Sequence, residues 1–297
     1  MAFCAVCGKK AVFKDCGFYL CKEHFSEKYE REVLASIKKY GMISEGDRIC
    51  VGFSGGKDST VLLSVLSKLD LGAELIAVTV DEGIAGYRND TIAAAEKTAA
   101  SLGVEHRIVS FTDLCGNTLD ELLSKNPNQA CSVCGTLRRR ALNSAARDCC
   151  ADKIATGHCM DDEAQSVLMN YLRGDITRIT ASQNTNSSEL FIQRIKPLCR
   201  QTERSTVAYG IVNNLLEPLP ECPYTKYALR ADVRSWLGRM ENEKPKTMRN
   251  IVDGQERLLK KIAPSKDAAV KMGVCKKCGE PTQNKLCAAC TLLEKIL

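Results

Sequence analysis

The 297-residue chain has no apolar stretch long enough to span a membrane, so we expect no membrane contact. Its start, "MAFCAVCGKK", lacks the apolar centre of a secretory leader, and a cytoplasmic protein is expected. A strong charge of one sign is also missing. The 42 Lys and Arg against 36 Asp and Glu leave a net charge of +6, too mild to require a nucleic-acid partner, so distribution must decide. There is no low-complexity tract, since "SQNTNSSE" is only a short polar loop, and no internal repeat beyond paired cysteine half-sites. Histidine is scarce, at three residues. Cysteine is not. Seventeen cysteines, an odd number, do not make a disulfide framework in a chain with no leader. They point to metal, cluster or thiol chemistry.

The two ends share one chemistry. "CAVC" and "CKEH" supply Cys4, Cys7, Cys21 and His24, and "CKKC" and "CAAC" supply Cys275, Cys278, Cys287 and Cys290. Paired half-sites across a short loop give four soft ligands, which suit a tetrahedral zinc ion at each end. Cys16 is a possible substitute ligand in the first set. Neither set carries a catalytic feature, so both read as staples of small end modules, at 1–27 and 271–297.

Between them, "RICVGF", "ELIAVTV", "HRIVSF" and "DKIATG" read as buried strands. "STVLLSVLSKL", "NDTIAAAEKTAASLG", "TLDELL" and "DDEAQSVLMNYLRG" read as helices, with Gly103 as a C-cap and Thr118 with Glu121 as a capping box. Such alternation predicts an α/β fold, a parallel sheet with helices on both faces, over residues 28–224. Ligands bind that architecture at the carboxyl ends of strands. "SGGKDS", "DEG" (Asp81 to Gly83) and "TGHCMDD" all fall there, so three polar loops should meet in one crevice.

"SGGKDS" is not a Walker A loop, which needs GxxxxGK[ST]. Glycines that admit a close backbone approach, a helix N-terminus and Lys57 suit an anion, phosphate first. The motif resembles the PP-loop of N-type ATP pyrophosphatases, which cleave ATP between its α and β phosphates. That resemblance implies phosphate contacts from Ser54, Gly55, Gly56, Ser59 and Thr60, charge compensation by Lys57, and Mg²⁺ on Asp58. Asp81 and Gly157 complete the expected ATP site.

A second resemblance covers nearly the whole chain. "DEGIAGYR", "CSVCGTLRRRALN", "ATGHCMDDEAQSVLMNYLRGD", "ECPY" and the cysteine-rich ends are similar to tRNA 2-thiouridine synthetases of the TtuA and cytoplasmic wobble-uridine thiolation type. "GIAGYR" and "VLMNYLRGD" lean to the wobble-uridine branch. Cys159 stands where the family has asparagine and adds an oxidisable thiol near the site. By match to the family's "GHxxDD", Asp161 is expected to make a polar catalytic contact. Cys131 and Cys134, just before a predicted helix, and Cys222 are three thiols outside the zinc sets. The resemblance implies a 4Fe–4S cluster on these three, with one iron open for sulfide. A persulfide relay between Cys134 and Cys222 is the rival.

Basic residues cluster around the predicted crevice. From 225 to 261 there are ten Lys or Arg against five Asp or Glu, with Lys226, Arg230 and Arg234 every four residues. Arg138, Arg139 and Arg140 follow the central CxxC, and Arg173 and Arg178 follow "MDD". Several such runs beside one crevice suit an RNA backbone. Residues 225–270 are therefore expected to be a helical RNA-binding segment. Trp236 shares an apolar stripe with Leu229, Val233, Leu237 and Met240 and is expected in the core. Cys16, Cys50, Cys115, Cys149, Cys150, Cys159 and Cys199 read as small buried hydrophobes, and His106 as structural. His158 is a candidate for orienting a ligand.

Together these features predict an ATP-dependent tRNA sulfurtransferase making 2-thiouridine, with Lys57, Asp58 and Asp161 in the reaction. Sulfide or a ubiquitin-like thiocarboxylated carrier would donate sulfur, and the small end modules suggest a homodimer. T-loop or cytidine thiolation is the nearest alternative. An amidating or ligating PP-loop ATPase would not need Cys131, Cys134 and Cys222. A non-catalytic zinc-ribbon RNA-binding protein would not need an intact "SGGKDS".

Overall fold

Short apolar runs that alternate with amphipathic helices bury both faces of one sheet. The computed structural model describes residues 2–15, 17–124, 126–180, 192–224, 230–262 and 273–297. An N-terminal hairpin, β1 (Phe13–Asp15) and β2 (Phe18–Leu20), runs into α1 (Lys22–Lys39). The central domain follows as β3 (Arg48–Gly52), α2 (Lys57–Lys68), β4 (Glu74–Asp81), α3 (Arg88–Leu102), β5 (Glu105–Ser110), α4 (Phe111–Cys115) and α5 (Leu119–Leu122). It continues through α6 (Ala130–Asp148), β6 (Lys153–Ala155), α7 (Met160–Leu172), α8 (Ile176–Thr180), β7 (Gln193–Ile195) and α9 (Glu203–Val212). Helices α10 (Arg230–Glu243) and α11 (Thr247–Lys261) precede a ribbon, β8 (Gly273–Val274) and β9 (Pro281–Thr282), and α12 (Ala288–Ile296).

The sheet order is β5-β4-β3-β6-β7, with every pair parallel. Side chains alternate in destination along each strand. Ile49, Val51 and Ala77 enter the core under α1, α2 and α9, whereas Cys50, Ile76, Val78 and Ile154 enter the core under α6. The chain leaves β3 toward β4 on one side and returns later as β6 on the other. Strand order reverses between β3 and β6, and ligands of open α/β sheets bind at that point, beyond the strand ends.

The end modules dock on opposite faces. Phe13 stacks on Phe25 of α1 at 4.4 Å, and α1 meets α9 through Tyr29 and Tyr209, stacked at 4.6 Å. Helix α1 carries His24 in its first turn and runs on to Lys39, so residue 27 lies inside a continuous helix. At the other end Cys275, Cys287, Ala289, Cys290 and Leu293 pack in the core with α6, and Glu280 pairs with Arg147 of that helix.

Several local expectations hold and others need correction. Gly103 is a left-handed C-cap, and the Thr118–Glu121 capping box is formed. The "HRIVSF" strand stops at Ser110, because that side chain caps α4 by accepting the Asp113 N–H. Cys131 and Cys134 do not precede a helix; they lie within the first turns of α6. Trp236 is 44% exposed rather than core. Helix α10 packs along a narrow apolar strip against α7 and α11, which takes Val233 and Leu237 and leaves Trp236 outside. Cys150 is exposed and Cys115 half-buried, so neither is the buried hydrophobe expected. Cys16, Leu229 and Lys226 lie outside the described residues.

Candidate active site

The loop after β3 wraps its own hydroxyls around the N-terminus of α2. Ser54 Oγ and Ser59 Oγ are 3.1 Å apart, the Gly56 N–H points to Ser54 Oγ at 3.3 Å, and Ser59 Oγ donates to the Gly56 carbonyl at 2.9 Å. Thr60 Oγ1 donates to the Gly55 carbonyl at 3.3 Å. Gly55 has φ +78°, and a Cβ there would lie 2.2 Å from the Thr91 carbonyl oxygen, so no other residue fits. Gly157, in the loop after β6, faces the Asp58–Ser59 backbone so closely that a Cβ would lie 2.9 Å from the Asp58 carbonyl carbon. Two of the three expected loops are thereby locked together.

Charges then fill the crevice. Lys57 Nζ sits 2.7 Å from Asp58 Oδ2 and 2.9 Å from Glu203 Oε1 at the start of α9. Asp58 Oδ1 is buried and has no hydrogen-bond partner. Burial raises the Asp58 carboxyl above the ordinary range, against the pull of Lys57. Asp161 Oδ2 accepts the Glu203 N–H at 2.8 Å, and burial raises its carboxyl too. Asp161 therefore positions the residue that touches Lys57. Cys159 is buried, its N–H donates to Asp162 Oδ2 at 3.1 Å, and burial raises its thiol, so it is a packed, protonated cap. His158 bonds Thr156 Oγ1 at 2.9 Å, and His106 bonds Thr79 Oγ1 at 2.7 Å with its ring against Phe53.

The third loop joins through a buried carboxylate that sequence reasoning missed. Glu82 Oε2 is 2.7 Å from Arg88 Nε, and Glu82 Oε1 is 2.7 Å from Arg138 Nη2. Arg88 is buried and also donates to the Ser54 carbonyl at 3.4 Å and the Val80 carbonyl at 2.5 Å. Arg138 Nη2 lies 3.2 Å from Cys134 Sγ. One carboxylate thus links the phosphate loop to the central thiols. Asp81, beside it, accepts the Gly83 N–H at 2.8 Å and shapes the turn.

Cys131 and Cys134 lie in the first turns of α6, and Cys222 belongs to the partly buried rim of the core that this helix covers. Cys131 Sγ faces the Tyr224 carbonyl at 3.9 Å, and Cys222 packs beside the α6 core. Burial pushes the Cys134 thiol up to about 11, opposed by Arg138, and raises Cys222 as well.

These features coincide with known proteins. The PP-loop domain family, ATP_bind_3, matches residues 25–215. The chain is 36% identical over 299 residues to cytoplasmic tRNA 2-thiolation protein 1 of Drosophila pseudoobscura pseudoobscura, covering 98% of this chain and 86% of that protein. It is 32% identical over 316 residues to tRNA 2-thiolation protein NcsA of Haloferax volcanii, covering 99% and 98%. The chain belongs to the cytoplasmic tRNA 2-thiolation protein 1 family. The solved U34-tRNA thiolase NcsA from Methanococcus maripaludis, described with its [4Fe-4S] cluster, matches this chain with a TM-score of 0.85 and 32% identity, covering 100% and 97%. In this 2-thiolation family member, then, the whole fold is shared, end modules included.

At those ends, the ligand atoms of Cys4, Cys7, Cys21 and His24, and of Cys275, Cys278, Cys287 and Cys290, lie within 4.8 Å of one another. Zn–S bonds of about 2.3 Å place tetrahedral sulfurs about 3.8 Å apart. Cys7 and Cys21 are 3.7 Å apart, and Cys278 and Cys287 3.5 Å. Burial opposes ionisation of Cys4, yet the backbone N–H groups of Cys21, Val6 and Cys7 outweigh it and bring the thiol to about 6. Both quartets fit a zinc ion. Among the described residues, no other His, Cys, Asp or Glu group is gathered as tightly, the three central cysteines included.

The basic residues divide. Arg230 pairs with Asp162 at 3.4 Å and Arg234 with Glu203, so these two are ion-paired at the rim of the crevice while remaining partly exposed. Acidic residues at the N-termini of α7 and α9 draw them in. Arg138 is committed to Glu82, whereas the Arg139 side chain, among the described residues, bonds just Thr136 Oγ1, at 3.3 Å.

Proposed function

We propose that the chain is an ATP-dependent tRNA sulfurtransferase that converts a uridine, the wobble base, to 2-thiouridine. One observation carries this reading: Glu82 joins the phosphate loop, through Arg88, to the central thiols, through Arg138. ATP chemistry and sulfur chemistry therefore share one crevice. The loop hydroxyls and the α2 N-terminus hold the phosphates, and Lys57 leaves Asp58 and Glu203 to offset their charge. The orphaned, buried Asp58 Oδ1 suits a Mg²⁺ ion beside phosphate, with Gly157 and Asp81 shaping the walls.

The uridine O2 attacks the α-phosphorus, the bond to the β-phosphate oxygen breaks, and pyrophosphate leaves. Sulfur then bonds to C2, the C2–O bond breaks, and AMP departs with that oxygen. Cys131, Cys134 and Cys222 offer three soft donors spread more widely than a single-ion site, which suits a larger 4Fe–4S cluster. Held by three thiolates, such a cluster supplies an iron open to sulfur. Sulfide or a ubiquitin-like thiocarboxylated carrier provides that sulfur, in the cytoplasm. Exposed Phe3, Val6 and Phe18 on the first module and Val274 on the last support a homodimer.

Cys222→Ser, purified without oxygen, tests the assignment. It should keep two zinc ions, lose iron and brown colour, still release some AMP with tRNA, and make no thiolated tRNA. A colourless, iron-free wild-type protein fully active with sulfide would overturn the cluster, and a persulfide trapped on Cys134 or Cys222 would replace it with the relay.

A further inference from the structure

Helix α6 has a second working face. At 100° per residue, Cys131, Cys134 and Arg138 lie on one side, Thr136, Arg140 and Asn143 lie on the opposite side, and Arg139 lies between the two. That opposite side lines a cleft of about 860 Å³, closed by the edge strand β7, by α7 and α11, and by the C-terminal ribbon.

The cleft's carboxylates are already engaged. Glu163 takes Lys196 at 2.6 Å, and Glu256 takes Arg200 at 3.3 Å and Lys39 at 3.6 Å. Glu280 pairs with Arg147. Arg139, Arg140, Arg194 and Lys260 line the same space with no carboxylate within 4 Å among the described residues. Among the described residues, Arg194 is held in place by two neutral acceptors, the Arg139 carbonyl at 3.2 Å and Asn143 Oδ1 at 2.8 Å. Burial and the neighbouring Arg139 charge hold its guanidinium below the ordinary arginine value. Gathering like charges costs free energy that only an anion can return. Val167, Ile192 and Leu259 add apolar wall, so the lining suits a chain of anions with attached hydrophobic surface.

We propose that this cleft is a binding site for the phosphodiester backbone of the RNA substrate, with Arg139 and Arg194 as its principal phosphate contacts. The inference rests on the tRNA thiolation reading and says where the RNA lies. The strand would follow one face of α6 while its target base reaches the thiol face of the same helix. ATP phosphates have their own site at α2, so a mononucleotide does not account for the cleft.

The test measures tRNA binding by the full-length protein across a series of salt concentrations. Arg139→Gln with Arg194→Gln should weaken binding at least tenfold at low salt. It should also reduce the slope of log affinity against log salt by about 1.4–1.8, the release expected for two phosphate contacts. Arg139→Gln alone, which gives up a single side-chain bond to Thr136 Oγ1 among the described residues, keeps the test valid if Arg194 proves necessary for folding, and should produce about half of that change. Thermal melting checks that each variant is folded. A wild-type slope in folded variants would overturn the cleft assignment while leaving thiolation standing. If wild-type protein binds no tRNA, the thiolation reading and the cleft fall together. Loss of binding to an acidic sulfur-carrier protein, with tRNA binding unchanged, would reassign the cleft to that protein.

Discussion

Glu203 Oε1 lies 2.9 Å from Lys57 Nζ, and the same oxygen is taken by Arg234. The phosphate-loop lysine is thus neutralised from within before any nucleotide arrives. Glu203 competes with phosphate for it. Glu203→Gln should lower the apparent Kd for ATP by about threefold to tenfold, the order of 1 kcal/mol expected for one half-screened charge. Lys57→Gln should instead raise it. Calorimetric titration of ATP into both variants checks the signs, and tighter binding by Lys57→Gln would show that Lys57 does not meet phosphate.

Asp58 presents one oxygen to Lys57 and leaves the other without a partner. Removing its charge should leave the fold and both end sites intact. Asp58→Asn should cut AMP release in the presence of tRNA at least a hundredfold, since a carboxylate bridging Mg²⁺ to pyrophosphate would be lost. Normal AMP release by this variant would remove Asp58 from the metal assignment.

Glu82 is buried between two arginines, and replacing it leaves Arg88 in the core without its counter-charge. Breaking a buried pair on one side costs about 3–5 kcal/mol. Glu82→Gln should therefore lower the melting temperature by roughly 6–20 °C, using about 2–4 °C per kcal/mol for domains of roughly 150–250 residues. Arg138→Gln should cost less, because Arg138 is half exposed and Glu82 keeps Arg88. Equal losses from the two variants would mean that the outer arginine carries as much of the network as the inner one.

Much of this architecture was legible because its signals are local. Four strands stood out as apolar runs, and the Thr118–Glu121 box and Gly103 cap were spelled by residues within one turn. The end quartets were equally plain, since each half-site is a fixed spacing. Strand β7 was not, because it is three residues long, carries Gln193 and Arg194, and is a strand only by pairing with β6. Glu82 was invisible for a similar reason. Its partners lie at positions 88 and 138, and only the sheet and α6 bring them together. The basic residues show the limit most clearly: sequence counts Arg230, Arg234 and Arg139 alike, whereas tertiary pairing neutralises the first two and leaves the third.

The same crevice sets a pH dependence. Burial raises the Asp161 carboxyl above its ordinary value of 3.8, and the Glu203 N–H only partly offsets this. An acid raised on folding contributes stability that is complete below its unfolded value and is lost as pH rises through its folded value. Wild-type protein should therefore lose ground to Asp161→Asn as pH climbs from about 4 through the raised value, with a constant gap above it. The Asn side-chain oxygen can still accept the Glu203 N–H, so the comparison isolates the charge. Any loss of metal from the cysteine quartets in acid is common to both proteins and cancels in the difference. Paired melting curves at closely spaced pH values provide the readout. Parallel curves would show that the Asp161 carboxyl titrates as an ordinary one. A variant that instead falls behind as pH rises would mean that the ionised carboxylate stabilises the α7–α9 junction.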